Sequence, residues 1–445
     1  MNTYFFLIVL VIYLLISLSI TKGDIFYPSN IIIIMYLISS FFLIGELKKW
    51  NGNLSYKGMV MLLLGITIYI VVSFITLKVF SRINIYRKNK YFNINDTLSK
   101  QSLPIVDSKI TILIVVYEIW ATMKYYTDVK YSSSYVGLSS SFSEMIGNYR
   151  NVSAYGNLDV GISHISAYNY QIMLALAYVY AAIITQYMAS KEKTTFSWKV
   201  LHALPIVIFG ICSIFTGGRN PLINLGVAFI VMYFIKIRQI HKDKPMKFKT
   251  ICKLVLGGVM ALVAFSSFRG LVGRTSDYTT FDYLAMYIGA PLKLFDLFIN
   301  GVHIAHRLVG QETFSSFLGD IGKRVERGNL EFRTSSNGIG LGNVYTPFRR
   351  YYNDFGMGGL VLLTAIQSFF YSFYYSKIRN RKNKNGIDFY TALYAYLSIG
   401  VVYYSVDERL YTYFLSWYTI KGIIFMFIFS WILPRIKLKK IKIKL

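Results

Sequence analysis

The sequence predicts an all-α polytopic membrane protein, and three observations carry that prediction. Of its 445 residues, 54% are hydrophobic and only 16% charged, where soluble domains run near 25% charged. The apolar residues gather into runs of roughly 20, the length that carries a helix across the hydrocarbon core. Several connectors between these runs are rich in lysine and arginine, the signature that orients spanning helices.

Taken in order, the first run covers 2–21. It has no basic leader before it and no small-residue cleavage site after it, so it reads as a spanning helix rather than a cleaved signal. Further runs cover 25–44, 58–80, 109–123, 164–189, 200–216, 220–237 and 251–268, then 355–376, 388–405 and 413–433. These make about eleven spans. They divide the chain into an N-terminal bundle (1–268), a large polar segment (269–354) and C-terminal helices with a basic tail (355–445).

Connectors 236–253 and 377–386 and the tail after Pro434 are strongly basic, which assigns them to the cytoplasm. Alternation then puts 82–108 and 190–199 inside as well. It leaves 45–57, 124–163, 217–219, 269–354 and 406–412 outside. The connector 45–57 goes against the rule, because it carries Lys48, Lys49 and Lys57.

The net charge of +27 would point to nucleic acid in a soluble protein. Here the lysines fall in connectors, where they meet anionic lipid, and no nucleic-acid motif is present. Nucleic acid is therefore not an expected partner; membrane lipids are. Cys212 and Cys252 fall toward opposite membrane faces, too far apart for a disulfide.

Within 269–354, Tyr283–Ile299 has apolar residues at helical spacing, with Asp282, Lys293, Asp296 and Asn300 opposite. This is either a helix lying in the membrane interface, bent at Pro291, or one packed on the bundle. Glu118 and Lys421 fall inside spans, and each needs a partner or a cavity; their mutual pairing is one expectation.

Arginines on the outer side are the first candidates for chemistry. Arg219 occupies the turn Thr216-Gly217-Gly218-Arg219-Asn220-Pro221 between two spans. Its planar fork suits phosphate oxygens. Arg269 and Arg274 follow the eighth span directly, and Arg150 belongs to the same side. The alternative for each is an arginine snorkelling to the headgroups; Arg219 is the strongest functional candidate and Arg150 the weakest.

The stretch Asn343–Asp354 supplies Asn343, Tyr345, Thr346, Arg349, Tyr352 and Asp354 just before a helix. Amide, phenol, hydroxyl, guanidinium and carboxylate groups suit sugar hydroxyls, with aromatic faces for the ring; an interfacial aromatic belt is the alternative. Acid–base candidates are Glu312, Glu326, Glu331, Asp354 and the His303/His306 pair. The two histidines lack further ligands at metal-binding spacing, so no metal is expected. No nucleotide-binding or common hydrolase fingerprint occurs, and no cofactor is implied.

Thr216-Gly217-Gly218-Arg219 between two helices, one large outer segment late in the chain, and Gly342-Asn343-Val344-Tyr345-Thr346-Pro347-Phe348 through Tyr352-Asn353-Asp354-Phe355-Gly356 together resemble the bacterial oligosaccharide repeat-unit polymerases of the Wzy type. The resemblance implies a GT-C-like membrane glycosyltransferase of the bacterial inner membrane. It would use an undecaprenyl-pyrophosphate-linked oligosaccharide as donor, and join repeat units into O-antigen or capsule without metal or nucleotide. It would work beside a flippase and a chain-length regulator. Arg219 matches the family's functional outer-face arginines, with Arg150, Arg269 and Arg274 as further positions. An O-antigen ligase shares the architecture, and a polysaccharide flippase is the other class; no internal repeat supports the latter.

Overall fold

The computed structural model describes residues 1–90, 103, 106–155, 161–190, 192, 194–241, 279–301, 303, 306, 308–325, 330–379, 381 and 386–436. It is a helical bundle. In chain order come α1 (Asn2–Ile20), α2 (Pro28–Gly45), α3 (Leu47–Trp50), α4 (Tyr56–Lys90), α5 (Ser108–Ser133), α6 (Phe142–Tyr155), α7 (His164–Ser190), α8 (Phe196–Ile214) and α9 (Asn220–His241). There follow α10 (Thr280–Ile288), α11 (Ala290–Ile299), α12 (Ser315–Asp320), a small hairpin of β1 (Arg333–Thr334) and β2 (Gly340–Gly342), α13 (Pro347–Arg379), α14 (Phe389–Leu397), α15 (Ile399–Val402) and α16 (Trp417–Ile432). The predicted span 251–268 lies outside the described residues, as do Cys252, Arg269, Arg274 and Glu326.

Seven of the described helices are long and apolar enough to cross a membrane, and Phe389–Val402 and Trp417–Ile432 are shorter apolar helices. The chain is a polytopic all-α membrane protein. Side-chain caps set several boundaries by satisfying orphan N–H groups. Asp107 accepts from Lys109 N (3.0 Å), Thr195 from Trp198 N (3.2 Å) and Ser416 from Thr419 N (3.2 Å). The short run 109–123 proves to be part of a 26-residue helix. Its polar second half had masked the continuation.

The closest seam runs between α4 and α13, and it is built from small residues. Ser368 donates to Tyr69 O (2.6 Å), and Ser73 and Ser372 share a 2.8 Å hydrogen bond. A Cβ on Gly65 would collide with the Phe348 ring. Small side chains let helix backbones approach where lipid offers no hydrophobic drive. Helix α13 itself is broken at Gly356, whose φ of 62° is left-handed backbone that glycine adopts without a Cβ penalty.

Polar contacts define two ends. At one, Asp24 from the α1–α2 connector accepts from Tyr375 Oη (3.0 Å) and pairs with Arg238 (3.3 Å) and Arg379 (3.2 Å). Nearby Lys236 and Asp388 form a wholly buried ion pair. At the other end of α2, Lys49 pairs with Asp282 (2.8 Å), and Lys57 Nζ donates to Ile299 O (2.8 Å). Asn337 Nδ2 donates to Lys49 O (3.0 Å). Two of the three lysines of 45–57, Lys49 and Lys57, are therefore held by local acceptors.

Two expectations need correction. Tyr283–Ile299 is two helices broken at Gly289, with Pro291 in the first turn of the second. There is no single helix bent at Pro291. Nor does α11 lie in the interface. Both of its faces are covered, Lys293 and Asp296 included, because those two pair with each other (2.9 Å) and bond Asn53 O and Ser55 beneath them. The expected Glu118–Lys421 pair does not form. Lys421 Nζ sits 3.3 Å from Tyr168 Oη, and Glu118 has no partner among the described residues.

Candidate functional site

Two groups of polar side chains gather at the end that carries the hairpin. The first is built on Arg349, in the opening turn of α13. Its side chain is fully buried, with Nη1 on Glu312 and Nη2 on Glu331. Its guanidinium lies 4.9 Å from the Phe298 ring and 5.1 Å from the Tyr345 ring. Pro347 starts this helix at a position where its missing N–H costs nothing, so Arg349, Tyr352 and Asn353 project from its rigid first two turns.

Glu312 is the hub. Besides Arg349 it accepts from His306 Nε2 (2.6 Å) and Asn353 Nδ2 (3.1 Å), and its backbone carbonyl accepts from Arg350 (3.1 Å). With Nε2–H donating to the carboxylate, His306 Nδ1 is left as an acceptor, with a weak contact to Gln311 Nε2 at 3.5 Å. This is the arrangement of an imidazole base oriented by a carboxylate. Asp354 is occupied differently, accepting from Thr313 N (2.7 Å) and Glu312 N (3.4 Å), so it anchors the loop that carries Glu312.

Other expected residues line the same cluster. Tyr345 is buried, with its hydroxyl donating to Glu331 O (2.9 Å), and burial pushes its phenol well above the usual range. Tyr352 packs against Phe298 and His303. Partial burial, then the nearby Lys57, Arg333 and Arg349, lower the His303 pKa, so that ring is neutral at neutral pH. Thr346 is buried and Asn343, just after the hairpin, is half-buried. Arg349 itself is committed through Nη1 and Nη2 to two glutamates, while its Nε has no partner among the described residues. Among the described residues no three His, Cys, Asp or Glu side chains converge as a metal site.

The second group holds arginines. Arg219 is buried; Nη2 donates to Tyr283 Oη (2.6 Å), and the guanidinium faces the Tyr283 and Tyr287 rings at 5.3 and 5.8 Å. Two residues earlier, Gly217 has φ of 67° and packs on Arg150, whose Cβ would stand 3.3 Å from a side chain placed there. Nε and Nη1 of Arg150 are buried without a hydrogen-bond partner among the described residues. The turn therefore sets Arg150 against Gly217, two residues from Arg219, although the two arginines are 69 positions apart (219 − 150).

Arg409 joins them, and the sequence reading missed it. It faces the Tyr403 ring at 5.1 Å and the Tyr413 ring at 5.9 Å, and pairs with Asp407 at 2.9 Å. Its Nε is buried and unpartnered among the described residues, and Tyr403 lies within the fields of both Arg219 and Arg409. Arg409 also lines a small cleft, together with Tyr170, Tyr178, Phe209, Asn224 and Tyr396. Pro221, two residues beyond Arg219, lines the same cleft. The signal was present: Asp407-Glu408-Arg409 puts three charges inside an apolar region.

The two groups are tied through Glu408. This buried carboxylate accepts from Tyr411 N (3.0 Å), Thr412 N (2.6 Å) and Tyr351 Oη (3.2 Å). Thr412 Oγ1 in turn donates to Thr313 O (3.3 Å). The segment that presents Arg409 is a π-helical turn, Leu410–Phe414, a conformation frequent at functional sites. No family model, curated protein or solved structure matches the chain.

Proposed function

We propose that this chain is a membrane-embedded glycosyltransferase that polymerises undecaprenyl-pyrophosphate-linked oligosaccharide units at the outer face of the bacterial inner membrane. The observation that carries this reading is the pairing of an arginine group beside an aromatic cleft with a carboxylate–imidazole group, joined through Glu408. In this reading the bundle crosses the membrane about eleven times, 269–354 is outside, and the C-terminus is cytoplasmic.

Arg219 and Arg409, with Arg150, hold the pyrophosphate of the donor; the buried guanidinium nitrogens of Arg150 and Arg409 that have no partner among the described residues are matched to phosphate oxygens. The cleft's aromatic walls take the adjoining apolar carrier. His306 Nδ1 removes the proton of the acceptor hydroxyl as its oxygen bonds to the anomeric carbon of the donor. The anomeric carbon–pyrophosphate bond breaks, and the departing negative charge falls on the arginines. Glu312 acts through His306, stabilising the imidazolium, while Arg349, Glu331 and Asp354 hold Glu312 in place. Asn343 and Tyr352 contribute amide, hydroxyl and ring surface for the sugar. Arg269 and Arg274 belong to the same outer side. A flippase supplies the donor, and a chain-length regulator is an expected partner.

The test is the surface-polysaccharide ladder of a deletion strain complemented with wild type or Arg219→Ala. Deletion is expected to leave only single-unit product. Arg219→Ala, present in the membrane at normal level, is expected not to restore the ladder. Loss of even the single-unit band on deletion would overturn polymerisation in favour of ligation or export.

A further inference from the structure

Glu118 takes no part in either group, and its surroundings are unlike those of any other acid described. It lies near the middle of α5, fully buried, with neither carboxylate oxygen bonded to a partner among the described residues. Helix α5 packs on α7 and α8 along this stretch. No cation among the described residues balances it. On its own helix Lys124 is paired with Asp128 at 2.8 Å, and Lys421 lies against Tyr168.

The titratable groups whose environment includes Glu118 are all ordinarily neutral. Tyr117 adjoins it on α5, Tyr180 faces it from α7 and Cys212 from α8. Tyr117 Oη donates to Asn169 Oδ1 (2.9 Å) and Tyr180 Oη to Thr111 Oγ1 (3.0 Å), so both hydroxyl protons are turned away from the acid. From α6, Tyr149 bears on Tyr125 instead.

A carboxylate with neither counter-ion nor donor, in a medium that cannot solvate it, resolves the conflict by taking up a proton. We propose that Glu118 is a buried proton-binding site, carrying its proton throughout neutral pH between α5, α7 and α8. Its ligand is the proton itself, and the packed three-helix interface is built around the uncharged acid.

The sign of the linkage separates this from a hidden ion pair. An acid that is neutral when folded but ionises when the chain opens gives the open state an advantage that grows with pH. Glu118→Gln removes that advantage. The purified full-length variant in detergent is therefore expected to melt at a higher temperature than wild type at neutral pH. The gain should shrink to nothing as pH falls into the ordinary carboxylate range. The infrared difference between wild type and Glu118→Gln should also contain a protonated carboxyl C=O stretch. Glu118→Asp, which keeps an acid, should retain such a band. A Glu118→Gln protein that melts lower at neutral pH, or a difference spectrum without the band, overturns the proposal.

Discussion

At the scale of single residues, the side chain that most decides the geometry of the carboxylate–imidazole group is Arg349. Its guanidinium separates the buried carboxylate of Glu312 from the half-buried one of Glu331, and cancels their repulsion. Truncating one partner of a buried ion pair leaves charge stranded, at a cost of about 3–5 kcal/mol. Arg349→Ala is expected to lose stability on that order, read as a lower midpoint in chemical denaturation. Arg349→Lys should recover little, because a single ammonium lacks the fork that reaches both glutamates. An unchanged midpoint in either variant would show that the two carboxylates do not depend on this residue. Arg349 was visible in the sequence as a polar residue before a helix. That it faces inward was not visible, since nothing local distinguishes a buried arginine from one that meets a ligand.

At the scale of elements, the α4–α13 seam positions the first two turns that carry Arg349, Tyr352 and Asn353. Gly65 lies directly beneath Phe348, and the backbone and hydroxyl contacts of Ser73, Ser368 and Ser372 continue the seam. Adding a methyl group there forces the helices apart or Phe348 out of place, an overpacking cost of typically 1–3 kcal/mol, so roughly that range. Gly65→Ala should lower the melting temperature of the purified protein, and Phe348→Leu in the same chain should restore part of the loss. A second substitution that gives no recovery would place the strain elsewhere. Runs of apolar residues made these spans legible. The break at Gly356 and the split at Gly289 were not, because a glycine within an apolar run reads the same whether the helix passes through it or stops.

For the whole molecule, the two polar ends make a prediction about sidedness. Asn51 contacts Ser336 (3.0 Å) at the hairpin end, whereas Arg381 follows directly on the helix whose Arg379 pairs with Asp24 at the opposite end. With the sidedness proposed above, and in a cysteine-free background, Asn51→Cys is expected to react with an impermeant maleimide added from outside the membrane that holds the protein. Arg381→Cys should react only after that membrane is opened. Labelling of both from outside, or of Arg381→Cys alone, would invert or break the topology. The result matters for chemistry as well, because both polar groups share the Asn51 end.

What the sequence determined by itself was the class of the molecule, the existence and order of most spanning helices, and the arginine-bearing turn at Gly217–Arg219. These follow from local quantities: run length, charge per connector, and backbone freedom at paired glycines. Only the tertiary structure decided which polar residues meet. Glu312 and Arg349 are 37 positions apart, and Arg150, Arg219 and Arg409 come from three separate connectors. Such convergence depends on helix packing, which fixes neighbours through shape and small-residue seams rather than through any spacing along the chain. The same reason left Glu118 without its expected partner. A charge inside an apolar run announces a conflict, and only the packing of three helices around it settles how that conflict is met.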